Sequence, residues 1–336
     1  VNIQTKVNLA PYCTMATPAV AERLVVVEST RALREALALA QANRWPVYVL
    51  GGGSNVVFKG DLAGLVIHMA IDGITLQDAQ DTVLVTAGAG VRWQALVDFC
   101  VAQNLWGVEN LNLIPGTVGA APIQNIGAYG VELESIFHRL ELVRVDDLSA
   151  HTFTPEMCEF SYRQSRFKRE PGAYVITSVT LRLARQGEPQ LSYPGLQNQL
   201  AHVAGPLTPK AVADTVAAIR RAKLPDPKDI PNSGSFFHNP IVSASKAAEL
   251  QARWPNLVSF AQPNGQVKLA AGWLIEQAGF KGQLYDGVGM HSQQALVMTN
   301  PGRCNGSQVL ALAETVAQKV NDLFGVQLHV EPQILP

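Results

Sequence analysis

Apolar positions change their spacing several times along the chain, and each change marks an element. Leu24-Val-Val-Val-Glu28 is a β-branched run that predicts a buried strand. Ser29 or Thr30 then caps an Ala/Leu-rich helix reaching about residue 43, which Trp45-Pro46 terminates. A second strand, Val47–Leu50, runs into Gly51-Gly-Gly-Ser-Asn55 and a further apolar triplet, Val56-Val-Phe58. From residue 64 the texture shortens. Strands are expected at 65–69, 74–76 and 82–87, followed by a helix at 91–103 with Val91, Ala95, Leu96, Phe99 and Cys100 on its apolar face. Longer strands are read at 137–145 and 174–183. Helices start at Thr154-Pro155 and Thr208-Pro209, where proline suits the first helical turn. The last third predicts helices at 243–253, 270–278 and 305–324, and strands at 265–269 and 294–299. The alternating Val326-Gln-Leu-His-Val-Glu331 reads as a final strand.

This is an α+β pattern, and 336 residues exceed one small core, so two or three domains are expected. Composition narrows the classes. Hydrophobic residues at 47% and charged residues at 16% fit a well-buried enzyme, and a net charge of −1 offers no field for nucleic acid. Cys13, Cys100, Cys158 and Cys304 are widely spaced and form no C-x-x-C pair, so neither a disulfide framework nor a metal site is expected. No signal-peptide series and no run of eighteen apolar residues is present, so membrane insertion is not expected and a cytoplasmic location is.

Five segments carry candidate chemistry. Three successive glycines at 51–53 let backbone approach a ligand and aim N–H groups at an anion, although a plain tight turn would look the same. Asn110 to Gly130 holds four glycines, two prolines and three asparagines but no charge. That suits either a backbone wrapped around a large cofactor or a buried crossover. Two basic clusters, 160–169 and 220–228, are either solvated faces or docking sites for phosphates and carboxylates. Pro231-Asn-Ser-Gly-Ser-Phe-Phe-His-Asn-Pro240 reads as a turn delivering Ser235 beside two aromatics that shield its hydroxyl.

In combination these stretches resemble the UDP-N-acetylenolpyruvoylglucosamine reductase family over essentially the whole chain. The resemblance rests on Leu50-Gly-Gly-Gly-Ser-Asn55, Leu113-Ile-Pro-Gly116, Ile123-Gln-Asn-Ile-Gly-Ala-Tyr-Gly130, Phe160-Ser-Tyr-Arg163, Lys223-Leu-Pro-Asp226 and Gly234-Ser-Phe-Phe237. It implies a vanillyl-alcohol-oxidase-type FAD-binding domain in two α+β subdomains and a C-terminal α/β substrate domain. The boundaries would be 1–70 with 325–336 returning to it, 71–224, and 225–324. Leu191-Ser-Tyr-Pro-Gly195 places the chain in the branch with a tyrosine-bearing substrate loop.

The family reaction uses FAD and NADPH to reduce UDP-N-acetylglucosamine enolpyruvate to UDP-N-acetylmuramate for peptidoglycan synthesis. By resemblance Ser235 donates the proton, while Arg163 and Glu331 stabilise the enolate. FAD would contact Leu50, Gly51, Gly52, Gly53, Ser54, Asn55, Ile114, Pro115, Gly116, Gly119, Gln124, Asn125, Gly127, Ala128, Tyr129 and Gly130. The nucleotide sugar would face Tyr193, Lys223, Asn239 and Gln294. A monomer is expected, with no metal. The C-terminal Leu328-His-Val-Glu-Pro-Gln333 departs from the family's Leu-Glu-Pro-Glu. The ungapped register puts Glu331 at the acid position, whereas alignment on Glu-Pro would put Gln333 there. Two other readings compete: an FAD oxidase of the same architecture, which would need a base where Ser235 offers an acid, and a non-catalytic nucleotide-sugar binder.

Overall fold

The computed structural model describes residues 1–203 and 205–336. The chain divides into two compact units. The first comprises 1–7, 21–52 and 62–222, and the second 8–20, 53–61 and 223–336.

In the first unit a four-stranded sheet runs in the order Ile3–Asn8, Val20–Val27, Leu62–Met69, Val47–Leu50. Leu62–Met69 pairs in parallel with both neighbours, Leu24 opposite Val66 and Val49 opposite Ile67. Parallel pairing requires a crossover, supplied here by the helix Thr30–Asn43. The Ser29 hydroxyl caps that helix by accepting from the Ala32 N–H at 3.2 Å, and Arg44 closes it in the left-handed region at φ 57°. Its stripe of Leu33, Ala36, Leu37 and Ala40 packs on Val25, Val27, Leu65 and Ile67, and also on Val143 and Val175 of a second sheet.

That second sheet is antiparallel, in the order Ala150–Phe153, Phe137–Arg144, Tyr174–Ala184, Thr82–Gly88, Ile74–Ala79. It shares a core with the helix Trp93–Ala102 and the apolar residues of the 110–130 segment, including Leu111, Val118, Ala121 and Ile126. Sequence pattern missed the edge strand Ala150–Phe153, because only Phe153 in it is buried. The short helix Pro155–Cys158 and the longer Pro209–Lys223 begin at the expected prolines.

The second unit is built on Asn232–Ser235, Val297–Thr299, Val288–Met290 and Leu284–Tyr285, in that order. A three-stranded sheet of Ile241–Val242, Val267–Leu269 and Ser259–Ala261 accompanies it, with helices Ala244–Arg253, Ala271–Gln277 and Gly306–Phe324. The last helix carries a reciprocal capping box between Asn305 and Gln308, and it ends on Gly325 at φ 62°. Buried Asn300 recruits the N-terminal segment: its Nδ2 donates to Met15 and Cys304 carbonyls, both at 3.0 Å, and its Oδ1 accepts from the Cys304 N–H at 2.7 Å.

Two expectations are corrected here. Residues 326–331 do not form a strand. Only Val330 makes a bridge, to Phe237, and the terminal strand is Gln333–Leu335, parallel to Val56–Phe58. The pairing stops after one bridge: the next N–H on that side, Gln333, donates instead to the Asn55 carbonyl at 2.9 Å. Ser235 is likewise not delivered by a free turn. It ends a bulged strand in which Asn232 pairs with Thr299 and Ser235 with Val297, and Gly234 at φ 73° takes up the extra residue. No described helix is long and apolar enough to cross a membrane.

Candidate active site

In the first unit, strand Val47–Leu50 ends at Gly51-Gly52, which lie against Gly116-Thr117. A Cβ on Gly52 would come within 3.0 Å of the Gly116 Cα, and one on Gly51 would displace the Thr117 hydroxyl. These glycines answer a packing demand, not only a turn. The facing segment is lashed down by main-chain bonds: Trp93 N–H to Gly116 O (3.0 Å), Val118 N–H to Val91 O (2.8 Å) and Gly119 N–H to Ala89 O (2.9 Å). Gly119 is itself forced, since a Cβ there would sit 2.6 Å from that of Ala89.

The charge-free 110–130 segment uses its asparagines as ties. Asn110 Nδ2 donates to the carbonyls of Tyr129 (2.8 Å) and Gln190 (2.9 Å), and Asn112 Nδ2 donates to that of Ala213 (2.7 Å). Asn125 Nδ2 donates to Glu132 (3.2 Å) and to the Ser161 carbonyl (3.3 Å), while its Oδ1 accepts from the Glu134 N–H at 3.0 Å. A buried loop must satisfy its backbone, and a neutral amide does so without the desolvation cost of a charge. Asn125 is fully buried, and its side chain is spent on these ties. Asn110 Oδ1 and Thr117 Oγ1 stay buried with no hydrogen-bond partner in the protein. Close-packed glycines, exposed Pro115, half-buried Ile114, Gln124 and Ala128, and two unsatisfied polar atoms fit a large ring with hydrogen-bonding edges, as in a flavin nucleotide.

Arg163 sits at the far end of this segment. It adopts the left-handed region, φ 53°, as Leu113, Asn125 and Tyr129 of the adjacent segment also do. Its Nη2 donates to the Gly127 carbonyl at 2.8 Å and its Nη1 to that of Asn125 at 3.4 Å. Lys168 Nζ holds the Arg163 carbonyl at 3.1 Å, and the guanidinium lies 5.4 Å from the Tyr162 ring centre. The guanidinium is thereby fixed on neutral oxygens.

Tyr129 and Tyr193 meet edge to face at 5.0 Å, and Gly130 is pressed on Ser192, so the tyrosine loop packs on the end of the 110–130 segment. Tyr193 is exposed. Arg220 hydrogen-bonds the Tyr129 hydroxyl while its Nε is buried and unsatisfied; burial pulls its pKa down and Tyr129 opposes that shift. Burial raises the Tyr129 hydroxyl, an effect Arg220 opposes. Sequence reading placed Arg220 in a basic cluster but did not single it out, because amphipathic spacing alone does not separate it from its exposed neighbour Arg221. Lys223 is exposed at the helix end.

In the second unit, Gly53 stands at φ 60°, and a Cβ there would strike the Tyr12 carbonyl. Its own carbonyl accepts from the Thr14 N–H at 3.0 Å, and that of Asn55 accepts from the Gln333 N–H at 2.9 Å. Half-buried Ser54 lies between them.

Half-buried Ser235 is followed by fully buried Phe236 and Phe237, whose rings meet at 5.5 Å and 70°. Each such ring contributes about 1.5–3 kcal/mol of burial, which anchors the residue before it. Phe236 N–H donates to Leu296 O, Glu331 N–H to Phe236 O and His238 N–H to His329 O, each at 2.9 Å. Ser235 and Glu331 are therefore joined through a single main-chain bond. The Glu331 carboxylate is 12% exposed and lies 3.6 Å from His238 Nδ1. Gln333, the rival position, is exposed and occupied in the strand beside Val56. Asn239 Oδ1 accepts from the Ala271 N–H at 2.9 Å, and Gln294 Oε1 would lie 3.0 Å from a Cβ on Gly272, so both flank the start of helix Ala271–Gln277. Strand pairing alone reveals the neighbour of His238. Among the described residues, no group of three or more His, Cys, Asp or Glu is arranged to hold a metal.

Residues 21–148 match the family model for an FAD binding domain, and residues 226–335 match that of the UDP-N-acetylenolpyruvoylglucosamine reductase C-terminal domain. The UDP-N-acetylenolpyruvoylglucosamine reductase of Alcanivorax borkumensis is 47% identical over 332 residues, covering 98% of this chain and 95% of the relative. That of Pseudomonas aeruginosa is 44% identical over 335 residues, covering 99% and 98%. The solved UDP-N-acetylenolpyruvylglucosamine reductase from Thermus caldophilus superposes with a TM-score of 0.67 at 22% identity, covering 100% of this chain and 99% of that one; this likeness concerns the fold.

Proposed function

The chain belongs to the UDP-N-acetylenolpyruvoylglucosamine reductase family, and from that premise we propose how its own residues divide the work. It is an FAD-dependent oxidoreductase that uses NADPH to reduce UDP-N-acetylglucosamine enolpyruvate to UDP-N-acetylmuramate, a peptidoglycan precursor. FAD, when bound, would supply the hydride chemistry that links NADPH to the terminal vinyl carbon.

Hydride addition at that carbon leaves negative charge on the ether-bearing carbon and its carboxylate. A fixed cation aimed at developing charge is usually the largest catalytic contribution. Arg163 supplies it, supported by a guanidinium already held on the Gly127 and Asn125 carbonyls. Ser235 donates its proton to the ether-bearing carbon. A hydroxyl is a weak acid, so placement matters more than pKa, and two buried phenylalanines restrain it. Glu331 stabilises the same charge, and the observation that supports this assignment over Gln333 is its main-chain bond to Phe236, next to Ser235.

FAD is assigned to residues 50–55, 114–116, Gly119, Gln124, Asn125 and 127–130, on the strength of the close glycine packing and the orphaned Asn110 and Thr117 oxygens. The nucleotide sugar is assigned to Tyr193, Lys223, Asn239 and Gln294. The same proposal keeps a three-part division at 1–70 with 325–336, 71–224 and 225–324, supported by the pairing of Gln333–Leu335 with Val56–Phe58. A cytoplasmic monomer is proposed.

The test is isotopic. Turnover in heavy water with ordinary NADPH should place deuterium on the ether-bearing carbon; the hydrogen reaching the new methyl travels as an exchangeable N–H of the reduced flavin, so its label reports only how fast transfer outruns solvent exchange. Protium retained on the ether-bearing carbon would overturn the assignment.

A further inference from the structure

We propose that His238 is a positioning residue for Glu331, fixing the orientation of that carboxylate for the protonation step; this rests on the role assigned to Glu331 above. The register dictates the meeting. His238 N–H donates to His329 O and Glu331 N–H to Phe236 O, which makes Phe237 and Val330 a non-hydrogen-bonded antiparallel pair. Side chains alternate across a strand, so residues 236, 238, 329 and 331 share the opposite face. His238 and Glu331 are then diagonal neighbours, within reach for long side chains. Nδ1 lies 3.6 Å from Oε2, with the two side chains only 20% and 12% exposed.

Two features make this contact more than packing. His238 is the third residue after Ser235 on one continuous run, and Glu331 bonds to the backbone between them. Any movement of the Ser235 segment is therefore shared by the imidazole and the carboxylate together. A glutamate has three rotatable side-chain bonds, and a ring nitrogen within ion-pair distance of one oxygen, though farther than a hydrogen bond, biases that freedom before substrate arrives. The imidazole meets the carboxylate, and the proposed effect passes through Glu331.

The experiment compares three variants in the two half-reactions. His238→Phe keeps ring volume and removes both nitrogens; His238→Gln keeps a side-chain donor; Glu331→Gln supplies the background for a double-mutant cycle. His238→Phe should slow flavin reoxidation by substrate about tenfold at saturating substrate, as expected for a displaced catalytic group, and leave flavin reduction by NADPH unchanged. His238→Gln should recover most of that loss. In the Glu331→Gln background, His238→Phe should cost nothing further. A packing role predicts the reverse ranking, with the phenylalanine variant normal and the glutamine variant impaired, and that result overturns the proposal. Additive losses in the double variant also overturn it while leaving Glu331 in place. If Glu331→Gln alone reoxidises normally, the failure lies in the role of Glu331, and the His238 proposal falls with it. Should His238→Phe not fold, His238→Ala, which also removes both nitrogens, takes its place in the cycle.

Discussion

Arg163 and Ser235 are held in opposite ways. Arg163 is gripped by its surroundings: a left-handed backbone, two carbonyls on its guanidinium and a lysine on its own carbonyl. Ser235 is held by its neighbours in sequence, through strand pairing with Val297 and the burial of Phe236 and Phe237, with no strain at its own position. The difference follows the work proposed for each. A cation that answers developing charge must already be in place, because reorienting it during the reaction would forfeit the electrostatic gain. A proton donor must reach a carbon whose geometry changes, and a side chain with one rotor on a rigid strand permits that.

The sharpest test of this contrast is Ser235→Ala. Flavin reoxidation by substrate should fall about 10²–10⁴-fold, roughly 3–5.5 kcal/mol of barrier, while NADPH bleaches the flavin at an unchanged rate in stopped flow. A collapse of both half-reactions would make Ser235 structural. Glu331→Gln comes next, with an expected loss of about 10²–10³-fold in the same step; Gln333→Ala should stay close to wild type, and the opposite ranking would move the acid to residue 333. Arg163→Lys should cost less, about tenfold or more, because a point charge cannot keep two carbonyl contacts and still present its charge at the same place. A normal Arg163→Lys enzyme would break the comparison from the other side.

The smallest effect concerns stability in the first unit. Glu109 is 3% exposed, its Oε2 accepts from the Gly107 N–H at 2.6 Å, and burial raises its carboxyl above the ordinary 4.5. The folded state then keeps this proton to higher pH than the unfolded chain does. The contribution of Glu109 to stability is greatest below the unfolded pKa and declines as pH rises through the raised folded one. Glu109→Gln keeps an acceptor for Gly107 and removes the charge. It should raise the melting temperature at neutral pH and flatten its pH dependence, with turnover unaffected; a lower melting temperature at pH 7 would show the carboxylate is favourably placed.

Much of the chain could be read without coordinates. The helix Thr30–Asn43 with its Ser29 cap, the strands Val47–Leu50 and Thr82–Gly88, and the helix Gly306–Phe324 all fall where apolar period and capping residues put them. Local preference and local burial agree there, so sequence suffices. The terminal strand was misplaced because alternation at 326–331 says nothing about which partner is available, and the parallel partner, Val56–Phe58, lies far away in sequence. The bulge at Gly234 was read as a turn for the same reason: a glycine at positive φ suits both, and only the pairing with Val297–Thr299 distinguishes them.

The amino-acid order by itself determined which residue types carry chemistry: a hydroxyl beside two phenylalanines, an arginine after Phe-Ser-Tyr, and a charge-free run of glycine and asparagine. Tertiary structure alone decided which of those groups have their polar atoms already committed. Asn125 was taken up by Glu132, Glu134 and Ser161, Arg163 was anchored on two carbonyls, and His238 was set against Glu331. The physical reason is that hydrogen bonds and desolvation depend on distance in space, and a linear pattern of polarity records which groups can bond but not which ones meet.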